Sequence, residues 1–508
     1  MKSVIITVDN RLRMPVDHLP GRAVERLCEL HTHRNPQHFK LKKMGFKAWA
    51  EPPEIRSWHM SAPGEGRTGP GTELSLPRGG MGRLRQVLSE CGVGWTVIDR
   101  RTEGDPVLVG MREPLPAHKV ALWDHQEVIV EGVLRRENCV VRSGTGSGKT
   151  TALLAAVARA QVPAIIVVWE KGLLRQWSER IDRELGLRGS DVGMIGGGAY
   201  RLRPITLAMQ QSLNRLNDAR WREVERAFGL VGADEISKFA AVTFRASIDR
   251  FPARYRIGMS ADETRKDGKE FLIYDLFGVV GADVSQDELV EKGIVRDVEV
   301  RIVPSSFRAD WYVEERERDG VVPDYDRLMD ELQADGARLR LVTDLASRAS
   351  ADGRPVLVFC QRVMHCRRVD AALAAAGVRS GLMIGEDPAA YESTVRGLRD
   401  GSVRVGVGTI SKIGLGLDLP SVSAGVVAVP AHNNRQLFNQ IRGRLCRTAK
   451  GKDDAVLYYV WDRAVHGLQV LRNLRRWCKT AYVMQDDGYW IEAGEYIDKN
   501  KPVRRAAV

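Results

Sequence analysis

Seven cysteines, at positions 28, 91, 139, 360, 366, 446 and 478, are scattered along the chain, and no two of them form a C-x-x-C pair. That pattern indicates neither a disulfide framework nor a zinc ribbon. Cys360, His365 and Cys366 are near neighbours, but their spacing suits no zinc site. No run of roughly 18 apolar residues is present to span a bilayer. The opening stretch Ser3–Val8 reads as a strand rather than a signal peptide, so a soluble, intracellular, cytoplasmic protein without a membrane partner is expected. No internal repeat of solenoid period is found.

What the chain does have is length and positive charge. At 508 residues it is too long for one core, and about three domains are expected. A hydrophobic fraction of 44% and a charged fraction of 28% are ordinary for a globular protein. The net charge of +12 favours an anionic partner. Residues 1–120 hold 19 Lys+Arg against 13 Asp+Glu, half of that excess in under a quarter of the length.

One stretch narrows the chemistry sharply. Cys139 to Thr151 runs from a short apolar segment, through Gly144, Thr145, Gly146, Ser147 and Gly148, into Lys149, Thr150, Thr151 and an Ala/Leu-rich helical pattern. Strand, glycine-rich turn and helix in that order form a phosphate cradle of the Walker A kind. The glycines let backbone N–H groups curl around an anion, and the helix N-terminus adds positive partial charge. Lys149 would reach the β- and γ-phosphates, and the Thr150 hydroxyl would ligate Mg²⁺. Ser143 stands where the first Gly is usual. ATP or GTP with Mg²⁺ is therefore expected.

Two further constellations fit hydrolysis. The apolar strand at 230–233 ends in Asp234 and Glu235, one carboxylate for Mg²⁺ and one to polarise the attacking water. Far downstream, Gln440, Arg444 and Arg447 form a group in which two arginines three apart are expected on one helix face, able to approach one γ-phosphate. Short apolar strands alternating with helical stretches recur from about 113 and again from 356, the pattern of parallel sheets. Ser305–Ala337 reads as a linker or insertion, and the Arg/Trp/Tyr-rich end from about 466 as a C-terminal cap.

With these motifs in order, the chain resembles the superfamily 2 helicases of the DEAD/DEAH-box type over roughly residues 113–465. Leu122–Gln126 resembles the adenine-reading Q motif, 173–177 motif Ia, and Gln211 to Leu213 the segment after motif Ib, with Met209 where Thr is usual. Gly258–Asp267 resembles a long variant of motif III, 356–365 motif IV, Gly408–Pro420 motif V and 440–447 motif VI. Within that superfamily the likeness is to XPB-like and UvsW-like DNA helicases.

The resemblance implies an α/β fold of two tandem RecA-like domains, parallel sheets flanked by helices, after a small α/β N-terminal domain. The expected boundaries are 1–112, 113–285, 286–465 and a C-terminal extension 466–508. It implies ATP held between the two RecA-like domains by Gln126, Gly144–Thr151 and Asp234, with Gly416 and Asp418 of motif V, and Mg²⁺ held by Thr150 and Asp234. Lys149, Glu235, Gln440, Arg444 and Arg447 become the catalytic set, and Gln176, Gln211, Ser212 and Thr409 the nucleic-acid contacts. Lys40, Lys42, Lys43 and Arg78 are candidate grips on flanking duplex. Trp461, Trp477 and Trp490 could stack on bases, although core packing is their commoner use.

The implied activity is an ATP-dependent DNA helicase or translocase acting on single-stranded, forked or branched DNA, alongside repair or recombination proteins and with 3′-to-5′ polarity. An RNA helicase, a restriction-complex motor or a non-hydrolysing scaffold are the alternatives. Two departures stand out. Ser237 fills the fourth place of the Asp-Glu box, and Asp262-Glu263 replaces Thr-Pro, adding carboxylates expected near a domain interface.

Overall fold

The computed structural model describes residues 3–45, 47–61, 71–106, 121–238, 242–265, 267–318, 321, 323–413, 419–431 and 434–500. The chain divides into two compact units, Met1–Gln286 and Asp287–Val508. Among the described residues no helix is long and apolar enough to cross a membrane.

The first unit opens with β1 (Ser3–Val8), β2 (Arg11–Pro15), β3 (Thr32–Arg34), β4 (Glu54–Arg56), β5 (His59–Ser61), β6 (Glu73–Pro77) and β7 (Gly94–Asp99). Five of them form a sheet in the order β5-β6-β2-β1-β7, while β3 and β4 make a separate ribbon. Val4, Ile6 and Val8 alternate inward along β1, as a half-buried strand requires. They share a core with Leu12, Leu76, and residues of the helices Gly21–Leu30 and Met81–Glu90.

The turn Arg78-Gly79-Gly80 fastens this sheet to the rest of the unit. Arg78 is 3% exposed and donates to the carbonyls of Ala253 and Arg254, each at 2.6 Å. Its guanidinium is therefore structural, which removes it from the candidate duplex grips; Lys40, Lys42 and Lys43 are exposed. At Gly79 a Cβ would lie 2.0 Å from the Tyr274 carbonyl oxygen, so only glycine permits the approach. Beside it, buried Asp275 accepts from His33 Nε2 at 3.0 Å and is paired with Arg83. Arg256, fully buried, reaches back to the carbonyls of Phe251 at 2.6 Å and Asn10 at 3.0 Å.

This seam is acid-sensitive. Burial, helped by the charge of Arg83, pushes the His31 imidazole down to about 4. Burial disfavours the Asp275 carboxylate, yet the His33 hydrogen bond and the Arg83 charge hold it well below the usual range. Both groups bind fewer protons folded than unfolded, so each contribution is whole at neutral pH and shrinks on acidification. The histidine's share, up to about 3 kcal/mol, fades between roughly pH 6.5 and 4; the carboxylate's fades below that. Limited proteolysis of residues 1–106 is expected to accelerate between pH 7 and pH 4.5. A rate that ignores pH over that window contradicts the seam.

The second sheet of this unit contains β8 (Asn138–Ser143), β9 (Ala164–Val168), β10 (Val192–Gly196), β11 (Ala199–Arg201), β12 (Ile205–Met209), β13 (Leu230–Asp234), β14 (Tyr255–Ser260) and β15 (Val280–Val284). Its order is β11-β10-β12-β9-β13-β14-β8-β15, with parallel neighbours except at the β10–β11 pair. Every residue of β9, β12, β13 and β14 is buried, as in a sheet covered on both faces.

The second unit repeats the plan with β16 (Glu299–Pro304), β17 (Val356–Cys360), β18 (Ser380–Met383), β19 (Val405–Thr409), β20 (Ala424–Val427), β21 (Val456–Trp461), β22 (Ala481–Met484) and β23 (Trp490–Glu492). The order is β18-β19-β17-β20-β21-β16-β22-β23, again parallel except for the last pair. The segment after 466 therefore extends this sheet rather than capping it. Ser305–Ala337 is largely helical, with helices Asp310–Glu317 and Tyr325–Ala334. Trp461 is fully buried and Trp477 packs on Phe438, so both serve packing, whereas Trp490 is exposed with the Arg301 guanidinium over its ring.

The strand ends of this unit are tied by one buried ion pair. Arg338 and Asp462, both about 1% exposed, meet through Nε and Oδ1 at 2.9 Å and through Nη2 and Oδ2 at 3.2 Å. Arg338 also donates to the Ala428 carbonyl at 2.6 Å, and Ser305 Oγ to Asp462 Oδ1 at 2.6 Å.

Candidate active site

The glycine-rich turn joins β8 to the helix Lys149–Ala160. Gly146 and Gly148 adopt left-handed φ of 88° and 76°, the curvature that builds a concave nest of N–H groups. Ser147 is 2% exposed and serves the turn itself. Its hydroxyl accepts from Ser143 Oγ at 2.6 Å, which gives the unusual Ser143 a job. Its carbonyl accepts from His125 Nε2 at 2.8 Å and Gln126 Nε2 at 3.1 Å. Gln126 Oε1 in turn accepts the Trp123 N–H at 3.1 Å. The Gln126 amide thus braces the turn through its nitrogen and caps its own helix through its oxygen, functions the sequence reading did not assign.

Lys149 stands between the two acidic side chains. Its Nζ lies 3.3 Å from Glu235 Oε1 and 3.9 Å from Asp234 Oδ1. Asp234 is 5% exposed and accepts from Trp177 Nε1 at 3.1 Å and from the Glu235 N–H at 3.0 Å. Burial raises the Asp234 carboxyl from its ordinary value, and the Lys149 charge opposes that rise. Glu235 has a φ of 58°, a strained setting for a residue with a side chain. Such strain persists where the surroundings over-determine it, as at reacting centres.

A nest of amides, a twelve-residue helix starting at its end, an ammonium, two carboxylates and the Thr150 hydroxyl make a donor set suited to a triphosphate and a hard divalent cation. Thr151 differs from its expected role. Its hydroxyl donates to buried Glu184 at 3.2 Å, so its side chain braces the helix and only its backbone N–H is left for a phosphate.

The two departures are resolved structurally. Ser237 is 3% exposed, and its carbonyl accepts from Arg265, which also grips Asp267 in a bidentate pair at 2.8 and 2.7 Å. The acidic box and the motif III segment are therefore linked through the backbone of residue 237. Glu263 is buried at 9% exposure against Arg142 and Tyr274, the latter at 2.7 Å. It is a packing partner within the first unit, because Arg142 on β8 supplies its counter-charge.

In the second unit the helix Arg435–Leu445 carries Gln440 and Arg444. The helix ends at Leu445 and Cys446 is its cap, so Arg447 lies beyond it. The expected pair on a single helix face is therefore not formed. Gln440 Nε2 is buried with no acceptor among the described residues. Gly416 and Asp418 lie outside the described residues.

The expected nucleic-acid contacts sit near strand ends. Gln211 follows β12 and donates to the Trp169 carbonyl at 2.9 Å, just past β9; Ser212 is its neighbour. Gln176 is half-buried on the helix Lys171–Leu185 that follows β9. Thr409 ends β19, with Oγ1 3.2 Å from Ser411 Oγ. Sequence reasoning missed His125, Trp177, Glu184 and Arg265. His125 and Trp177 each adjoin a glutamine already singled out, and Arg265 lies in the long motif III segment, where its partner was not foreseen; Glu184 alone carried no signal.

Residues 119–264 match the family model described as type III restriction enzyme, res subunit. A DNA 3'-5' helicase XPB from Kineococcus radiotolerans is 25% identical over 400 residues, covering 75% of this chain and 66% of the relative's length. The probable helicase D10 of Escherichia phage T5 is 24% identical over 380 residues, 73% of this chain and 76% of that protein. Among solved structures, a fragment of a putative HsdR subunit of a type I restriction enzyme from Vibrio vulnificus YJ016 is similar. It superposes with a TM-score of 0.52 at 17% identity, over 76% of this chain and 72% of the other. With two mostly parallel sheets flanked by helices, and the phosphate-cradle turn and acidic pair inside the matched segment, the chain is similar in sequence and fold to the superfamily 2 helicases.

Proposed function

We propose that this protein is an ATP-dependent DNA helicase or translocase that unwinds or remodels forked or branched DNA. The observation that carries the reading is Lys149 held between Asp234 and Glu235 at the end of β13, beside a left-handed glycine turn. The DNA assignment rests on the likeness to relatives named DNA 3'-5' helicase and DNA 3'-5' translocase.

In this reading Lys149 and the amides of the turn hold the β- and γ-phosphates of ATP, and Thr150 with Asp234 would hold Mg²⁺. The bound Mg²⁺ supplies charge neutralisation at the phosphates. Glu235 orients the attacking water and takes its proton. Trp177 fixes the Asp234 carboxylate, while His125 and Gln126 stiffen the turn through Ser147. Gln126 is the residue assigned to the adenine, and Arg444, Arg447 and Gln440 are assigned to the transferred phosphoryl group, where guanidinium spreads charge better than ammonium. Gln176, Gln211, Ser212 and Thr409 are assigned to phosphates of the strand, contacts that track a backbone without reading its sequence.

Steady-state phosphate release, alone and with single-stranded, duplex and forked DNA or RNA, tests this. Forked DNA is expected to stimulate most. Stimulation by RNA alone overturns the DNA assignment, and no stimulation by any of them overturns the motor. Affinity for forked DNA should also fall linearly in log–log form with salt as counterions are released, losing on the order of 10³-fold between 50 and 200 mM. A flat profile contradicts backbone tracking.

A further inference from the structure

Lys452 lies just beyond the arginines of motif VI and has no role in the reading above. It is 5% exposed, and its ammonium is surrounded by backbone carbonyls. Nζ donates to Leu445 O at 2.5 Å, Val422 O at 2.6 Å and Pro420 O at 3.1 Å. All three ammonium donors therefore have acceptors from two separate stretches of chain.

The two stretches matter. Leu445 is the last residue of the helix that carries Gln440 and Arg444, two positions before Arg447. Its carbonyl is one of the orphan acceptors at a helix C-terminus, where a cation is also favoured by the helix dipole. Pro420 and Val422 lie on the return from motif V to β20. A second bond fixes the same corner, as the Arg296 N–H donates to the Cys446 carbonyl at 2.7 Å.

We propose that Lys452 is a positioning residue for hydrolysis: its buried ammonium staples the tail of motif V to the end of the motif VI helix and so fixes the exit angle of the chain at Arg447. This rests on the phosphate role assigned to Arg444 and Arg447. A guanidinium that stabilises developing charge must sit within a fraction of an ångström of its place, so the staple acts on turnover rather than on ground-state binding of ATP.

Burial lowers the Lys452 ammonium to about 8; the charges of Arg447 and Arg296 push the same way, while Cys446 and Asp454 oppose them. Below that value the ammonium has three protons for three carbonyls. Above it the amine has two, and one carbonyl loses its partner.

The test compares wild type, Lys452→Met and Lys452→Arg in the full chain. With saturating forked DNA, Lys452→Met is expected to lower kcat about tenfold or more while KM for ATP stays within about threefold. Lys452→Arg, which keeps a multi-donor cation, is expected to restore most of kcat and to remove the component of the wild-type decline that sets in above pH 8. Amide hydrogen exchange without nucleotide gives a readout independent of hydrolysis: faster exchange in Lys452→Met confined to 419–423 and 445–449. Unchanged kcat with unchanged exchange overturns the staple. Loss of folding in Lys452→Met leaves Lys452→Arg to decide, and a wild-type-like pH profile in it also overturns the proposal. A wild type that hydrolyses no ATP sinks the proposed function instead, and the exchange pattern still reports on the staple.

Discussion

Replacing Lys149 with alanine is expected to reduce DNA-stimulated phosphate release by on the order of 10³-fold, because the one ammonium between Asp234 and Glu235 disappears together with its hold on the phosphates. A second consequence appears without any nucleotide. Burial already raises the Asp234 carboxyl, and Lys149 is the largest influence opposing it. Without that charge one carboxyl of the pair should bind a proton closer to neutrality. A group whose proton affinity rises on folding stabilises at low pH and loses that contribution as pH climbs through its folded value. The variant's melting temperature should therefore gain on wild type as pH falls from 7 to 5. Retention of more than about a tenth of wild-type turnover would remove Lys149 from the phosphate site.

Arg338→Ala is expected to cost about 3–5 kcal/mol in the second unit, since it leaves the Asp462 carboxylate buried and unpaired. The cost is not the worth of the pair. Arg338→Met with Asp462→Leu, which removes both charges, should recover most of the loss. Urea unfolding followed by fluorescence separates these outcomes, with buried Trp461 next to Asp462 as reporter. His365 offers an independent reading. Burial first, then the Arg338 charge, pushes its imidazole down to about 3, so its titration should move upward in Arg338→Ala. A single variant that unfolds like wild type would show the pair to be expendable.

The sequence made the frame of both sheets legible because parallel strands buried on both faces write themselves as apolar runs, and β9, β13 and β17 do so plainly. The glycine turn and the acidic pair were legible for a similar reason: their chemistry demands particular residues at particular spacing. What stayed hidden were the supports. Ser143, Thr151 and Glu263 look like motif positions or departures from them, yet their side chains bond to Ser147, Glu184 and Arg142, and those partners are distant in sequence or unremarkable in type. The position of Arg447 beyond its helix was equally hidden, since no glycine or proline marks the stop at Cys446. Long-range pairing also explains why 481–492 joins the sheet of the second unit: a strand is assigned by the neighbour it finds, and β16 lies far upstream.

The seam between the N-terminal sheet and the rest of the first unit bears on how the protein can be taken apart. A motor core begun near residue 107 would lose Asn10, the outside acceptor for buried Arg256, and both His33 and Arg83, the side chains that Asp275 is bonded to. It would also lay open the ground on which Arg78 and Gly79 sit. Loss of activity in such a fragment would then report a damaged core as readily as a missing DNA grip. The informative dissection keeps residues 1–106 in place and alters only the outward lysines 40, 42 and 43, so that whatever changes is what those lysines touch.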